Sequence, residues 1–198
     1  MTKHEPQEID SYHEHRPVLL KEAVSHLITD RDGVYVDGTL GGGGHALEIL
    51  SRLTKDATLY GIDQDDEALE AAKARIKDDP RFIPVKGNFG YLSRLLPPST
   101  RGGISGLLLD LGVSTHQITE ADRGFSFQQE GPLDMRMSNL RGVTAHQVVN
   151  EYGYEDLRDI IFHFGVERKR REIARAIIDR RPIESTTELR EVVESVVH

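Results

Sequence analysis

No cysteine occurs in the 198 residues. That excludes disulfides and thiolate metal sites, and it removes cysteine from the list of possible nucleophiles. No window approaches the roughly 18 consecutive apolar residues of a membrane span. The N-terminal stretch MTKHEPQEIDSYHEH is polar and acidic and lacks the apolar core of a signal peptide, so the expected location is the cytoplasm. Positive charge is in deficit: 25 Lys and Arg against 33 Asp and Glu leave a net charge of −8. Indiscriminate nucleic-acid binding is therefore disfavoured, and a nucleic-acid partner would have to meet a local basic patch. His13 and His15 have no second ligand cluster, and no metal site is expected.

What remains is a soluble globular composition, 37% hydrophobic and 29% charged. It suits one domain, or one domain with a small insertion. Residues 1–14 read as a disordered tail. VLLKEAVSHL after Pro17 has helical spacing. VYVD (34–37), TLYGID (58–63), Phe82 to Val85 and GLLLDL (106–111) read as strands. The last is a continuous apolar run, as a strand buried on both faces would be. Between them, Ala46 to Leu53 reads as a helix. A second helix is capped by Asp65 or Asp66 and has Ala68, Leu69, Ala72 and Ile76 on its inner face. The alternation predicts a parallel α/β sheet with right-handed crossovers.

The pattern changes after Leu111. A loop punctuated by glycine and proline (RGFSFQQEGPLDMRMS) leads into helices. Thr144 with Gln147 and Ser185 with Glu188 are capping-box pairs; Tyr154–Phe164 and Glu167–Arg181 read as helices between them. Leu189, Val192, Val193, Val196 and Val197 line the inner face of the last helix. Four strands followed by helices, with no stop signal before His198, read as a domain interrupted by a helical insertion. The expected division is 15–118 for the core and 119–198 for the loop and incomplete insertion.

Gly41-Gly42-Gly43-Gly44-His45-Ala46 satisfies the dinucleotide pattern G-x-G-x-x-A, which alone is weak evidence. The strand in front of it ends in Asp37, and a carboxylate there would repel a pyrophosphate. It would attract S-adenosylmethionine, which carries an ammonium group and a sulfonium centre and no phosphate. Asp63 ends the second strand about 20 residues on, where a carboxylate can accept hydrogen bonds from ribose hydroxyls. That feature suits NAD as well as S-adenosylmethionine. Phe89, after the third strand, is placed to pack on an adenine face. An NAD-dependent oxidoreductase is the rival reading, and Asp37 argues against it.

Asp110 falls at the end of the fourth strand, where ligand crevices of parallel sheets lie. It is the candidate catalytic residue. An exocyclic amine is a poor nucleophile; it must be aligned, hydrogen-bonded through its N–H groups and relieved of a proton. A carboxylate does this. Methylation of a pyrimidine carbon usually takes a cysteine, so an amino or hydroxyl acceptor fits better.

Residues 168–181 hold seven basic side chains, Arg168, Lys169, Arg170, Arg171, Arg175, Arg180 and Arg181. Either this is the solvated face of an amphipathic helix, or Arg168, Arg171 and Arg175 form a phosphate-contacting face. Arg123 and Arg136 lie in the glycine-rich loop, where they could meet an acceptor strand or hold the loop together.

The segments HRPVLLKEAV, VDGTLGGGGH, GIDQD, GNF, LLLDLGVS, DRGFSF, GPLDMRM and IARAI together resemble the bacterial 16S ribosomal RNA (cytosine-N4) methyltransferases, the ribosomal RNA small subunit methyltransferase H family. The resemblance covers nearly everything from His15 onward. It implies a Rossmann-like class I S-adenosylmethionine-dependent methyltransferase core with a helical insertion. It also implies methyl transfer to N4 of a cytidine in 16S rRNA of the small ribosomal subunit. Carried over by motif, the cofactor-binding residues are Gly43, Gly44, His45, Asp63, Phe89, Asp110 and Gln117. The chain departs from the family at Leu40, where an aromatic is usual, and at Ser114-Thr115-His116-Gln117, where S-S-P-Q is usual. The family's later Ser-Phe-His-Ser segment is absent, so the expectation is a fragment, inactive or unstable alone. A non-catalytic module that binds the cofactor and RNA is the second alternative. Oligomeric state is left open.

Overall fold

The computed structural model describes residues 17–138 and 142–197. The expected tail over 1–14, with His13, and also His15, lie outside them. The chain divides into two compact units, Met1–Thr115 and His116–His198.

In the first unit, β1 (Val34–Asp37), β2 (Thr58–Asp63), β3 (Phe82–Lys86) and β4 (Gly106–Leu108) form a parallel sheet of order β3-β2-β1-β4. The helices are α1 (Leu20–Leu27), α2 (Gly44–Arg52), α3 (Asp66–Ile76) and the single turn α4 (Leu92–Leu95). Side chains alternate across the pleat. Tyr35 and Leu59 pack with Val24 of α1, Ile49 and Leu50 of α2 and Leu69, Ala72 and Ile76 of α3. Val36, Tyr60 and Ile62 form a second cluster, against which Leu92 and Leu95 of α4 pack. Each fully buried aliphatic side chain contributes roughly 1.5–3 kcal/mol. Asp65 caps α3 by accepting the Glu67 N–H at 3.1 Å, and the expected inner face of that helix is buried. Pro84 is tolerated within β3 because that strand pairs only with β2 among the described residues.

The fourth strand corrects the sequence reading. Only Gly106–Leu108 is extended in the sheet. Leu108 is 8% exposed, whereas Leu107 and Leu109 are each 41% exposed. β4 pairs only with β1 among the described residues. An edge position leaves one side of the strand open, and a run of leucines cannot report how many faces are covered. Asp110 consequently lies in the loop beyond β4.

The second unit begins on α5 (Thr115–Thr119), whose first residue is the last of the first unit, and contains α6 (Ala145–Glu151), α7 (Tyr154–Gly165), α8 (Arg170–Arg180) and α9 (Thr186–Val197). Both expected capping boxes form. Thr144 and Gln147 exchange bonds at the start of α6. The Glu188 N–H donates to Ser185 Oγ at 3.2 Å, and the Ser185 N–H donates back to the Glu188 carboxylate at 3.4 Å. Leu133, Val149, Leu157, Ile173, Ile177, Ile183 and Val192 make the core.

Leu133 brings the preceding loop into that core, and short polar contacts hold the rest of the loop. The Arg123 guanidinium donates to the carbonyls of Arg136 and Met137, both at 3.3 Å. Arg136 makes a forked pair with Asp134 at 2.9 and 2.7 Å. Of the two accounts of these arginines, the contacts support loop bracing. The basic helix is shorter than the expected Glu167–Arg181, since α8 starts at Arg170.

Candidate functional site

In an open parallel sheet, ligands bind beyond the carboxyl ends of the strands where the strand order reverses. The chain runs outward from β1 through β2 to β3, then returns to place β4 on the other side of β1. The reversal therefore lies between β1 and β4. Asp37 is the last residue of β1, Asp63 the last of β2, and Asp110 lies two residues past β4. Three carboxylates thus end at one edge of the sheet.

Asp37 is fully buried. One of its oxygens accepts the Thr39 N–H at 3.2 Å, and Oδ2 has no hydrogen-bond partner. Burial is the main cause that raises its pKa to about 7; the Thr39 bond opposes this, and the charges of Asp63 and Asp110 add to it. Asp63 is better satisfied. It accepts the Gly41 N–H at 2.9 Å and the Asp65 N–H at 3.0 Å. Burial still raises its pKa, partly offset by those bonds. Asp110 is half-exposed, and its backbone N–H donates to the Thr39 hydroxyl at 2.7 Å.

His45 is buried at the start of α2. Its Nε2 lies 3.2 Å from the Val18 carbonyl. A carbonyl can only accept, so Nε2 carries the proton. Nδ1 then faces the Asp110 carboxylate at 3.9 Å. Among the described residues no lysine or arginine pairs with Asp37, Asp63 or Asp110. Three carboxylates at one edge give it a negative potential, which suits a cation and opposes a pyrophosphate.

The glycines have separate reasons. Gly43 adopts φ +75, and a Cβ there would lie 3.1 Å from Ala72 of α3. A Cβ on Gly44 would strike Pro17 at 2.4 Å. Both are tight packing against the protein itself. Gly41 also has positive φ, +49, but a Cβ there meets nothing within 4 Å, so its turn faces open space. Leu40 is buried and fills the space beside Gly61, where a Cβ would lie 2.8 Å from it. Phe89 opens a short 3₁₀ turn after β3 and is 36% exposed. It lies against Gly38, where a Cβ would sit 3.3 Å from Phe89 Cβ and 2.6 Å from Leu109. Gln117, the remaining expected residue, lies on α5 in the second unit.

The sequence reading named Gly41 in the glycine turn without placing it among the cofactor-binding residues, and it did not single out Gly38 or Thr39. Gly41 had a signal, as the first glycine of the turn. Thr39 had none, since a threonine in a strand-end turn has many uses.

The sequence profile of the MraW methylase family matches residues 12–198. Ribosomal RNA small subunit methyltransferase H of Mycoplasma mycoides subsp. mycoides is 45% identical over 184 residues, covering 92% of this chain and 60% of that protein. The protein of the same name from Clostridium botulinum (strain Kyoto / Type A2) is 45% identical over 186 residues, with 92% and 60% covered. That from Acinetobacter baumannii (strain AB0057) is 43% identical over 182 residues, with 91% and 59% covered. The chain spans about 60% of the length of these curated relatives. With a four-stranded parallel sheet whose glycine turn and carboxylates gather at its switch point, the chain belongs to the MraW methylase family.

Proposed function

We propose that this chain carries the S-adenosylmethionine site of a methyltransferase that acts on the exocyclic N4 of a cytidine in 16S ribosomal RNA. One observation carries the cofactor reading: Asp37 is fully buried, with Oδ2 unpartnered, beside two further carboxylates and, among the described residues, with no lysine or arginine paired to any of the three. An ammonium group and a sulfonium centre satisfy such an edge, whereas a dinucleotide pyrophosphate adds negative charge to it. When bound, the cofactor supplies an electrophilic methyl group on sulfur.

The residues divide the remaining work. Asp37 holds the ammonium end, and the open turn at Gly41 admits the backbone-hugging amino-acid portion. Asp63, oriented by Gly41 and Asp65, accepts the ribose hydroxyls. Phe89 flanks the adenine. Gly43 and Gly44 shape the turn, and His45 stands beside Asp110. Asp110, half-exposed, hydrogen-bonds the acceptor amine, holds its lone pair toward the methyl carbon and takes up the proton that the amine loses. Gln117 matches the family's remaining cofactor position. The cytidine N4 and the small-subunit RNA rest on the resemblance to relatives named as ribosomal RNA small subunit methyltransferase H.

Titration calorimetry with S-adenosylmethionine and with NAD tests the cofactor: heat with the first and none with the second is the expected result. Transfer of a labelled methyl group to small ribosomal subunits, followed by nucleoside analysis for N4-methylcytidine, tests the reaction. Heat with NAD alone would replace the reading by an oxidoreductase. Cofactor binding without transfer would replace it by a non-catalytic module.

A further inference from the structure

The corner between α7 and α8 combines two features that local stability does not explain. The first is exposed aromatic and apolar surface. Phe164 is 85% exposed, Val166 is 77% exposed, and Phe162 is 41% exposed. The second is four consecutive basic residues, Arg168-Lys169-Arg170-Arg171, at the N-terminal end of α8. Cations at that end oppose the helix dipole, and in a chain of net charge −8 they are a local reversal of sign.

The basic stretch sorts by contact. Arg175 stacks over the Tyr154 ring at 5.0 Å. Arg181 donates to the carbonyls of Val149 and Tyr152 at 2.7 and 2.6 Å. Lys169 donates to the Val196 carbonyl at 2.7 Å. These three brace the fold. Arg170 lies 4.2 Å over the Phe162 ring, which orders that aromatic. Arg168 and Arg171 are exposed and form no ion pair among the described residues.

An exposed ring next to unpaired guanidinium groups is the chemistry of single-stranded nucleic-acid binding, where bases stack on aromatics and phosphates meet arginines. We infer that the α7–α8 corner binds single-stranded RNA, with Phe164 as a stacking platform and Arg168 and Arg171 as phosphate contacts. The inference rests on the RNA substrate proposed above and adds the surface that engages it. The charge favours a polyanion with stackable rings: a phosphate backbone meets both exposed guanidinium groups while its bases meet the ring, whereas a purely apolar partner would leave those charges without a counter-charge.

The test measures binding of a fluorescein-labelled single-stranded RNA of roughly 12 nucleotides to the full chain by anisotropy, across a salt series. Phe164→Ala is expected to weaken binding about five- to a hundredfold at an unchanged salt slope. Arg168→Gln with Arg171→Gln is expected to flatten that slope by about 1.4, at about 0.7 for each lost phosphate contact on a single strand. Binding of duplex RNA should be insensitive to Phe164→Ala. Because Phe164 is exposed, unchanged thermal melting of its variant is the control for folding. Wild-type affinity in both variants overturns the inference. So does a Phe164→Ala variant that loses only self-association in sedimentation, which would make the corner a protein contact. Cofactor calorimetry on the same variants separates the two proposals. Absence of S-adenosylmethionine binding in the wild-type chain defeats the function proposed above, while the corner stands or falls on the RNA titration.

Discussion

Thr39 joins Asp37 to Asp110. Its backbone N–H donates to the Asp37 carboxylate at 3.2 Å, and its hydroxyl accepts the Asp110 N–H at 2.7 Å. One residue therefore sets the spacing of the buried and the half-exposed carboxylate across the β1–β4 switch point. Thr39→Val removes the acceptor and keeps the shape. Because Asp110 is solvent-accessible, its freed N–H can take water, so the stability cost should be about 0.5–1.5 kcal/mol. Cofactor affinity should fall several-fold more than that loss of stability explains, and Thr39→Ser should restore it. Calorimetry and thermal melting on both variants check this.

Asp37 titrates near pH 7 in the folded chain against 3.8 in an unperturbed aspartate. Between those values the folded state holds the extra proton. Stability is therefore full below about pH 4, falls as pH rises toward 7 and levels off above it. The total is a few kcal/mol at 1.36 kcal/mol per unit. Asp37→Asn should lack this slope, so the difference between wild-type and variant melting temperatures should change across that window. A pH-independent difference would remove burial of the charge as the cause.

The same proton governs the ligand. A cation pairs with ionised Asp37 only, so S-adenosylmethionine affinity should rise about tenfold per unit up to pH 7 and then flatten. Binding below pH 7 should release a proton, read as a dependence of calorimetric heat on buffer ionisation enthalpy. In Asp37→Asn the release should vanish and affinity should drop by at least about tenfold.

Gly41 and Gly43 separate binding from folding. Alanine at either position pays about 1 kcal/mol for a left-handed backbone. At Gly43 it also meets Ala72 at 3.1 Å, whereas at Gly41 it enters open space. Gly43→Ala should melt at the lower temperature of the two. Gly41→Ala should stay folded and lose cofactor affinity. Thermal melts with and without S-adenosylmethionine distinguish the two outcomes.

Asp110→Asn keeps the shape of the side chain and removes its proton-accepting charge. Labelled-methyl transfer at saturating S-adenosylmethionine should fall by at least about a hundredfold, the usual contribution of a positioned base. Retained transfer would take Asp110 out of the chemistry.

Much of this was legible in the residues. The inner face of α3 follows from its period of 3.6. The two capping boxes follow from Ser or Thr with Gln or Glu three positions on, a pattern with a single geometric use. Asp37, Asp63 and Asp110 were readable because each ends or follows an apolar run. What stayed hidden depends on contacts distant in the chain. Leucines at 107 and 109 look the same whether both faces of their strand are covered or one is left half-open. Phe162 and Phe164 fit a helix pattern, and nothing local says that Phe164 faces water. Arg123 and Arg136 admitted two roles until their carbonyl and carboxylate partners could be named. The length of the basic run concealed that some of its members brace helices while others point to solvent.

The open side of β4 bears on how the chain behaves in a tube. Its outward backbone groups and half-exposed leucines offer a template on which another extended segment can add. Concentration thus becomes a variable in its own right. Dilute samples keep this edge solvated, whereas crowded ones invite strand addition. Leu107→Lys would put a charge on that edge and act as a gatekeeper against the addition.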